Sequence, residues 1–176
     1  ENDLYSFRPD AREFTLIGQL GCGTAMQPNS MAIDRDATAW VNFVENDGFG
    51  DTAGVVYRVS TADASCEPTP AANLPQQWYR MGMGFSSDVA GGAAETLYVT
   101  GTGDPIFGGG PGLGRIDTGS GGLTPIGQFT QGLDGQNAEL TGTGFEDRGT
   151  YCGNKPSLGG GGTGWLTSQA PVNPGE

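Results

Sequence analysis

The feature that most constrains this chain is that it repeats itself. Residues 4–20, LYSFRPDAREFTLIGQL, align without a gap to residues 113–129, LGRIDTGSGGLTPIGQF, at an offset of 109. Leu4, Thr15, Ile17, Gly18 and Gln19 are matched by Leu113, Thr124, Ile126, Gly127 and Gln128. The pairs Phe7/Ile116, Phe14/Leu123 and Leu20/Phe129 are apolar on both sides. A third copy lies between them: Val56-Tyr57-Arg58-Val59-Ser60-Thr61 matches Leu4-Tyr5-Ser6-Phe7 at offset 52 and Leu113-Gly114-Arg115-Ile116-Asp117-Thr118 at offset 57. Self-similarity at a fixed period means that one supersecondary unit is stacked several times, each unit burying its neighbour's apolar face.

The second half of the unit recurs as well. Ser30-Met31-Ala32-Ile33-Asp34 followed by Thr38-Ala39-Trp40-Val41 is one copy, and Met81-Gly82-Met83-Gly84-Phe85 followed by Thr96-Leu97-Tyr98-Val99 is the next. Glu139-Leu140-Thr141-Gly142-Thr143-Gly144 opens a third. Short apolar blocks between turn residues predict strands, and no long stretch carries helical spacing free of Gly or Pro. The unit is then four strands: Leu4 to Phe7, Phe14 to Leu20, Ser30 to Asp34 and Thr38 to Val44. Four antiparallel strands at a period of about 50 to 58 residues is the sequence form of a propeller blade. The expected fold is all-β, a propeller-like array of about three four-stranded antiparallel blades in an incomplete ring. The blades fall at about 1–50, 51–108 and 109–154, and a Gly/Ser/Pro-rich tail, 155–176, follows. Gly82, Gly84, Gly142 and Gly144 suit inner strands that converge near an axis. Three blades do not close a ring, since propellers typically have four to eight. The open choices are a fragment of a longer propeller, two chains pairing into six blades, or an open stack whose edges another copy covers.

The phrases Asp3-Leu4-Tyr5-Ser6-Phe7-Arg8-Pro9-Asp10, Ser30-Met31-Ala32-Ile33-Asp34-Arg35-Asp36, Tyr57-Arg58-Val59-Ser60-Thr61, Glu95-Thr96-Leu97-Tyr98-Val99 and Leu113-Gly114-Arg115-Ile116-Asp117 resemble a group of secreted or lipoprotein propeller-repeat proteins of myxobacterial type. The similarity spans about residues 3–144. It implies a propeller-like fold outside the cytoplasm and transfers no catalytic residue. Two departures stand out. Ala37 occupies the turn position where the pattern has Gly, the residue that permits positive φ. After Gly144 a clear apolar strand is replaced by Phe145 to Gly153, with only a weak fourth strand at Thr150 to Cys152.

Composition narrows the function. The 176 residues include no His and a single Lys, Lys155, and the net charge is -12. Without His, Ser-His-Asp and Cys-His relays and His-based metal sites are excluded. The acidity argues against binding a nucleic-acid backbone. No apolar run approaches the length of a transmembrane helix. The chain opens Glu1-Asn2-Asp3 without Met and without a charged and then apolar leader, so any signal peptide is expected to have been removed, and the composition predicts a secreted, extracellular or outer-surface protein.

Of three cysteines, Cys22 and Cys66 end corresponding strands of neighbouring units and are the preferred disulfide. Three independent thiols are the alternative, and Cys152 is left over. Glu45, Asp47 and Asp51 place three carboxylates within seven residues and form the best candidate Ca²⁺ site; the bland reading is a polar surface loop. Asp34-Arg35-Asp36 lacks the EF-hand spacing and predicts a turn with a capping Asp. Trp78 and Tyr79, within the wider set Trp40, Trp78, Tyr79, Phe85 and Tyr98, are the candidate glycan-stacking pair, against the commoner role of inter-blade filler. Phe107 sits in the Gly-rich loop 102–112, which has no Lys-Ser/Thr and is no P-loop. Phe107 is a candidate partner contact. A carboxylate pair for hydrolysis is formally open, for example Asp117 with Glu139, and no spacing selects this pair. Trp165 and Leu166 are the tail's candidate anchors on an open blade face.

The expectation is a non-enzymatic extracellular structural or interaction protein, a homo-oligomer or polymer whose unclosed blades associate with copies of itself or a partner. The alternatives are a Ca²⁺- or glycan-binding module facing a cell-surface glycan, and a carboxylate-based hydrolase.

Overall fold

A computed structural model describes residues 2–89, 92–102, 109–130, 138–142 and 164–168. They form an all-β protein of antiparallel sheets, as the short apolar blocks imply. The strands are β1 (Asp3–Arg8), β2 (Glu13–Gln19), β3 (Gln27–Ile33), β4 (Thr38–Asn46), β5 (Asp51–Ser60), β6 (Cys66–Pro68), β7 (Met81–Ser87), β8 (Glu95–Gly101), β9 (Gly112–Ile116), β10 (Leu123–Gly127), β11 (Ala138–Gly142) and β12 (Gly164–Ser168). A 3-10 turn, Gln76–Trp78, precedes β7. Two sheets have four strands in sequence order, β3-β4-β5-β6 and β7-β8-β9-β10, and two have only a pair, β1-β2 and β11-β12. None of these sheets closes on itself. No helix among the described residues is long and apolar enough to cross a membrane.

Each four-stranded sheet takes the last two strands of one sequence unit and the first two of the next. β4 and β5 are joined by a tight loop in which the Asp47 amide donates to the Gly50 carbonyl at 3.2 Å, so they pair from Thr38↔Ser60 to Asn46↔Asp51. β8 and β9 pair in the same way from Leu97↔Ile116 to Gly101↔Gly112, whereas β2 and β3 lie in different sheets.

The sheets stack face to face. Ala32, Trp40 and Val56 of the first four-stranded sheet share a buried cluster with Met81, Met83, Phe85, Leu97, Val99 and Ile116 of the second. On its opposite face the first sheet buries Ala39, Val41, Phe43 and Val59 against Leu4 and Ala64. A sheet covered on both faces reads as a continuous apolar run rather than an alternation. This is why Ala39 to Val44 is buried without a break. The Cys22–Cys66 disulfide forms, with an S–S distance of 2.00 Å, and ties the segment after β2 to β6.

Turn chemistry follows the expectation at Asp34. Its carboxylate accepts the Asp36 and Thr38 amides and the Trp40 indole N–H. Ala37, where the pattern wants Gly, adopts φ of 58°, in the left-handed region that costs an L-residue about 1 kcal/mol.

Candidate functional site

Polar side chains lock the stack at the seam between the two four-stranded sheets. Asn42 of β4 is fully buried. Its Nδ2 donates to the Val55 carbonyl at 3.3 Å and the Tyr79 carbonyl at 3.0 Å. Its Oδ1 accepts from the Met81 amide and from Asn29 Nδ2, both at 3.1 Å. Beside it, Arg80 donates from Nε and Nη2 to the two Asp51 oxygens at 2.9 Å each, and from Nη1 to Asn29 Oδ1 at 2.7 Å. Burial pushes the Asp51 carboxyl upward, but hydrogen bonds from Arg80 and Asn46 and the Arg80 charge outweigh it and hold it below the usual carboxylate range. Further along, Arg35 reaches Ser87 and Glu95. Thr100 Oγ1 donates to the Ala138 carbonyl, so β8 grips β11 in the same manner.

The three carboxylates of the expected Ca²⁺ site all have hydrogen-bond partners within the protein. Asp51 is engaged by Arg80, Asp47 Oδ1 accepts the Phe49 and Gly50 amides, and Glu45 Oε2 accepts from Thr52 Oγ1. Among the described residues no group of three or more Cys, Asp or Glu is placed to hold a metal ion. The carboxylates are near in sequence, but each is spent on a loop amide, a hydroxyl or a guanidinium.

Trp78 is a core residue rather than a stacking platform. It is buried in the 3-10 turn, and its ring occupies the space left at Gly114, where an added Cβ would stand 2.7 Å from Trp78 Cη2. Tyr79 packs partly buried against the same cluster. Phe107 lies outside the described residues, as do Cys152 and the weak strand expected at Thr150 to Cys152. Asp117 is a turn cap, accepting the Gly119 and Ser120 amides and the Ser120 hydroxyl. Glu139 instead lies on β11, where Oε1 accepts from Ser30 Oγ at 2.6 Å and from the Met83 amide at 3.1 Å. The two carboxylates thus have separate tasks.

Apart from Phe49 and Val89 in loops, the exposed large apolar side chains lie toward the two ends of the stack. Tyr5, Phe7, Phe14 and Leu16 are exposed large apolar side chains. The register pairs Tyr5 with Leu16 and Phe7 with Phe14, and side chains of cross-strand pairs share a face. The four therefore form one apolar face of the β1–β2 hairpin, with the Phe7 and Phe14 rings 4.6 Å apart. Leu4 points the other way, into the cluster under the first sheet. Met31 and Ile33, on the side of β3 away from β7, are exposed too. At the far end Ile126 of β10 is exposed. Among the described residues β1 pairs only with β2 and β12 only with β11, so each has an unpaired edge.

No family model matches the chain, and no curated protein or solved structure matches it. The functional reading rests on the molecule's own geometry.

The strand β12 was not legible as such: its residues fall in the segment expected as a tail. A signal for it exists in the unit itself. Thr163-Gly164-Trp165-Leu166-Thr167 repeats the order of Thr38-Ala39-Trp40-Val41-Asn42 and Thr96-Leu97-Tyr98-Val99-Thr100, a Thr, a small or apolar residue, an aromatic, an aliphatic and a polar residue.

Proposed function

We propose that this protein is an extracellular structural or interaction module whose unclosed, propeller-like β-blades associate with copies of itself. The observation that carries this is the apolar face of the β1–β2 hairpin, Tyr5, Phe7, Phe14 and Leu16, standing open beside an unpaired strand edge. Contiguous exposed apolar patches mark association surfaces, and open edges recruit further strands. Four strands in sequence order within each of the two larger sheets, with their faces packed on one another, support the propeller-like description. The Cys22–Cys66 disulfide supports an oxidising compartment, in keeping with the secreted or lipoprotein propeller-repeat proteins that the sequence resembles. The test is sedimentation velocity on the purified chain at micromolar concentration. An oligomer or polymer is expected, and a clean monomer overturns the reading.

A further inference from the structure

The register of the sheets turns the repeat into a residue-by-residue map. Ala32↔Trp40 in the first sheet corresponds to Gly84↔Tyr98 in the second and to Thr141↔Trp165 in the β11–β12 pair. Met31, Met83 and Leu140 are therefore equivalent. On the other strands Trp40↔Arg58 corresponds to Tyr98↔Arg115, and the repeat places Ser6 at the same position as Arg58 and Arg115. So β11 and β12 occupy the positions of β3 and β4, while β1 and β2 occupy those of β5 and β6. The two half-sheets at opposite ends of the stack are complementary halves of one four-stranded sheet.

Exposure at equivalent positions points the same way. Met31 is 43% exposed and Ile33 48%, whereas their equivalents Met83 and Phe85 are 0% and 7% exposed, covered by the preceding sheet. Phe7 is 50% exposed, whereas its equivalent Val59 is 0% exposed, likewise covered by the hairpin that precedes it. At the far end Ile126 is 52% exposed. Its equivalent Ile17 packs against the sheet that follows it. The N-terminal end thus lacks a sheet on its preceding side, and the C-terminal end lacks the outer hairpin on its following side. A groove lined by Asp3, Leu4, Tyr5, Ser30, Met31 and Val41 lies between β1 and β3, where the inner pair of a blade belongs.

We propose that two copies join head to tail, β11–β12 of one copy seating against β3 and beside β1 of the next to complete the sheet β11-β12-β1-β2. This rests on the associating-blade reading above and specifies its joint. By the register of β4 with β5, Trp165 stands opposite Ser6, Leu166 opposite Tyr5 and Thr167 opposite Leu4. The same seating lays the Ile126 face of one copy on the Phe7 face of the other. The two surfaces differ, so the contact is heterologous, and rings or filaments follow according to whether the rotation closes.

Phe7→Lys and Ile126→Lys test this, since both positions are exposed and neither change disturbs the folded chain, which circular dichroism verifies. Each variant alone is expected to be monomeric, with association weakened at least 100-fold. An equimolar mixture is expected to form a dimer, because each variant keeps the surface the other has lost. In a Cys152→Ser background, mixing the Tyr5→Cys and Leu166→Cys variants under mild oxidation is expected to give a disulfide-linked dimer in far greater yield than either alone. A wild-type oligomer that survives both lysine variants, or that shows neither complementation nor the disulfide-linked dimer, overturns the head-to-tail joint and leaves the association reading standing. A Tyr5→Cys/Leu166→Cys double variant that links only within a single monomer overturns the joint in favour of closure inside one chain. A monomeric wild type overturns both.

Discussion

Replacing Asn42 by alanine removes the side chain that stitches the two four-stranded sheets together. Asn42 is fully buried and makes four hydrogen bonds, two of them to backbone groups of the segment entering β7. Met81, whose amide it holds, is itself 1% exposed. Truncation removes the side-chain partner of the Met81 N–H and of the Tyr79 carbonyl. An unsatisfied buried polar group costs about 1–3 kcal/mol. Two of them come to about 2–6 kcal/mol, a large part of the roughly 5–15 kcal/mol that holds a domain folded. The assay is urea unfolding followed by the fluorescence of buried Trp40 and Trp78, at fixed protein concentration because association shifts apparent stability.

Two companions isolate the cause. Asn29→Ala removes a side chain that is largely open to solvent, so water replaces what is lost and the effect stays below about 1 kcal/mol. Asn42→Asp keeps the shape and the acceptor for the Met81 amide but loses both donors and buries a charge. Losing both donors leaves the Val55 and Tyr79 carbonyls without these bonds, so this variant is also expected to be destabilised. A loss below about 1 kcal/mol for Asn42→Ala at unchanged urea slope refutes the reasoning. So does an Asn42→Asp variant as stable as the wild type.

Three further outcomes follow. The Cys22–Cys66 bond spans 44 residues, so a Cys22→Ala/Cys66→Ala variant loses up to about 4 kcal/mol by loop-closure entropy; an unchanged urea midpoint contradicts this. At Gly82 an added Cβ would stand 2.1 Å from the Ala138 carbonyl oxygen and 2.8 Å from Glu139 Cα, whereas at Gly127 it would meet nothing within 4 Å. Gly82→Ala is therefore expected to lose about 1–3 kcal/mol and Gly127→Ala almost nothing, measured by thermal melts; equal effects contradict the close approach of β7 and β11. Asp51 is held below its unfolded value by Arg80 and Asn46, so its contribution is present above about pH 4 and is lost as the pH falls through the lower folded value. Asp51→Asn is expected to flatten the stability profile in that window, and a profile identical to wild type refutes the assignment.

What could be read from the residues, and what could not, divides along a physical line. The blocks around Trp40, Tyr57 and Tyr98 announce strands because both faces of their sheets are buried, which leaves apolar runs too short for helices. The Cys22–Cys66 pairing was accessible because repeated strands place their ends at repeated positions. Side-chain partners were not accessible in this way. Asp51 is claimed by Arg80, 29 residues away, and a carboxylate count along the chain cannot see a guanidinium arriving from the next sheet. Trp78 follows Pro75, Gln76 and Gln77 and suggests an exposed pair. It is buried because Gly114, on a strand distant in sequence, has no side chain to exclude it.

The position of the sheet boundaries was the least legible feature, and it matters most for function. A repeat is cyclic: its period is the same whichever strand is taken as first. Hydrogen bonding breaks that symmetry: β4 pairs with β5 and β8 with β9, while the segment between β2 and β3 crosses from one sheet to the next. Once the sheets begin at β3 and β7, the strands before and after them are a half-sheet each, β1–β2 and β11–β12. Had the sheets begun where the unit was first drawn, the described strands would not have left complementary halves, and there would be no reason to expect a head-to-tail joint. The apolar side chains Phe7, Met31, Ile33 and Ile126 then stop being scattered surface residues. Each occupies a position whose equivalent elsewhere in the stack lies beneath a neighbouring sheet.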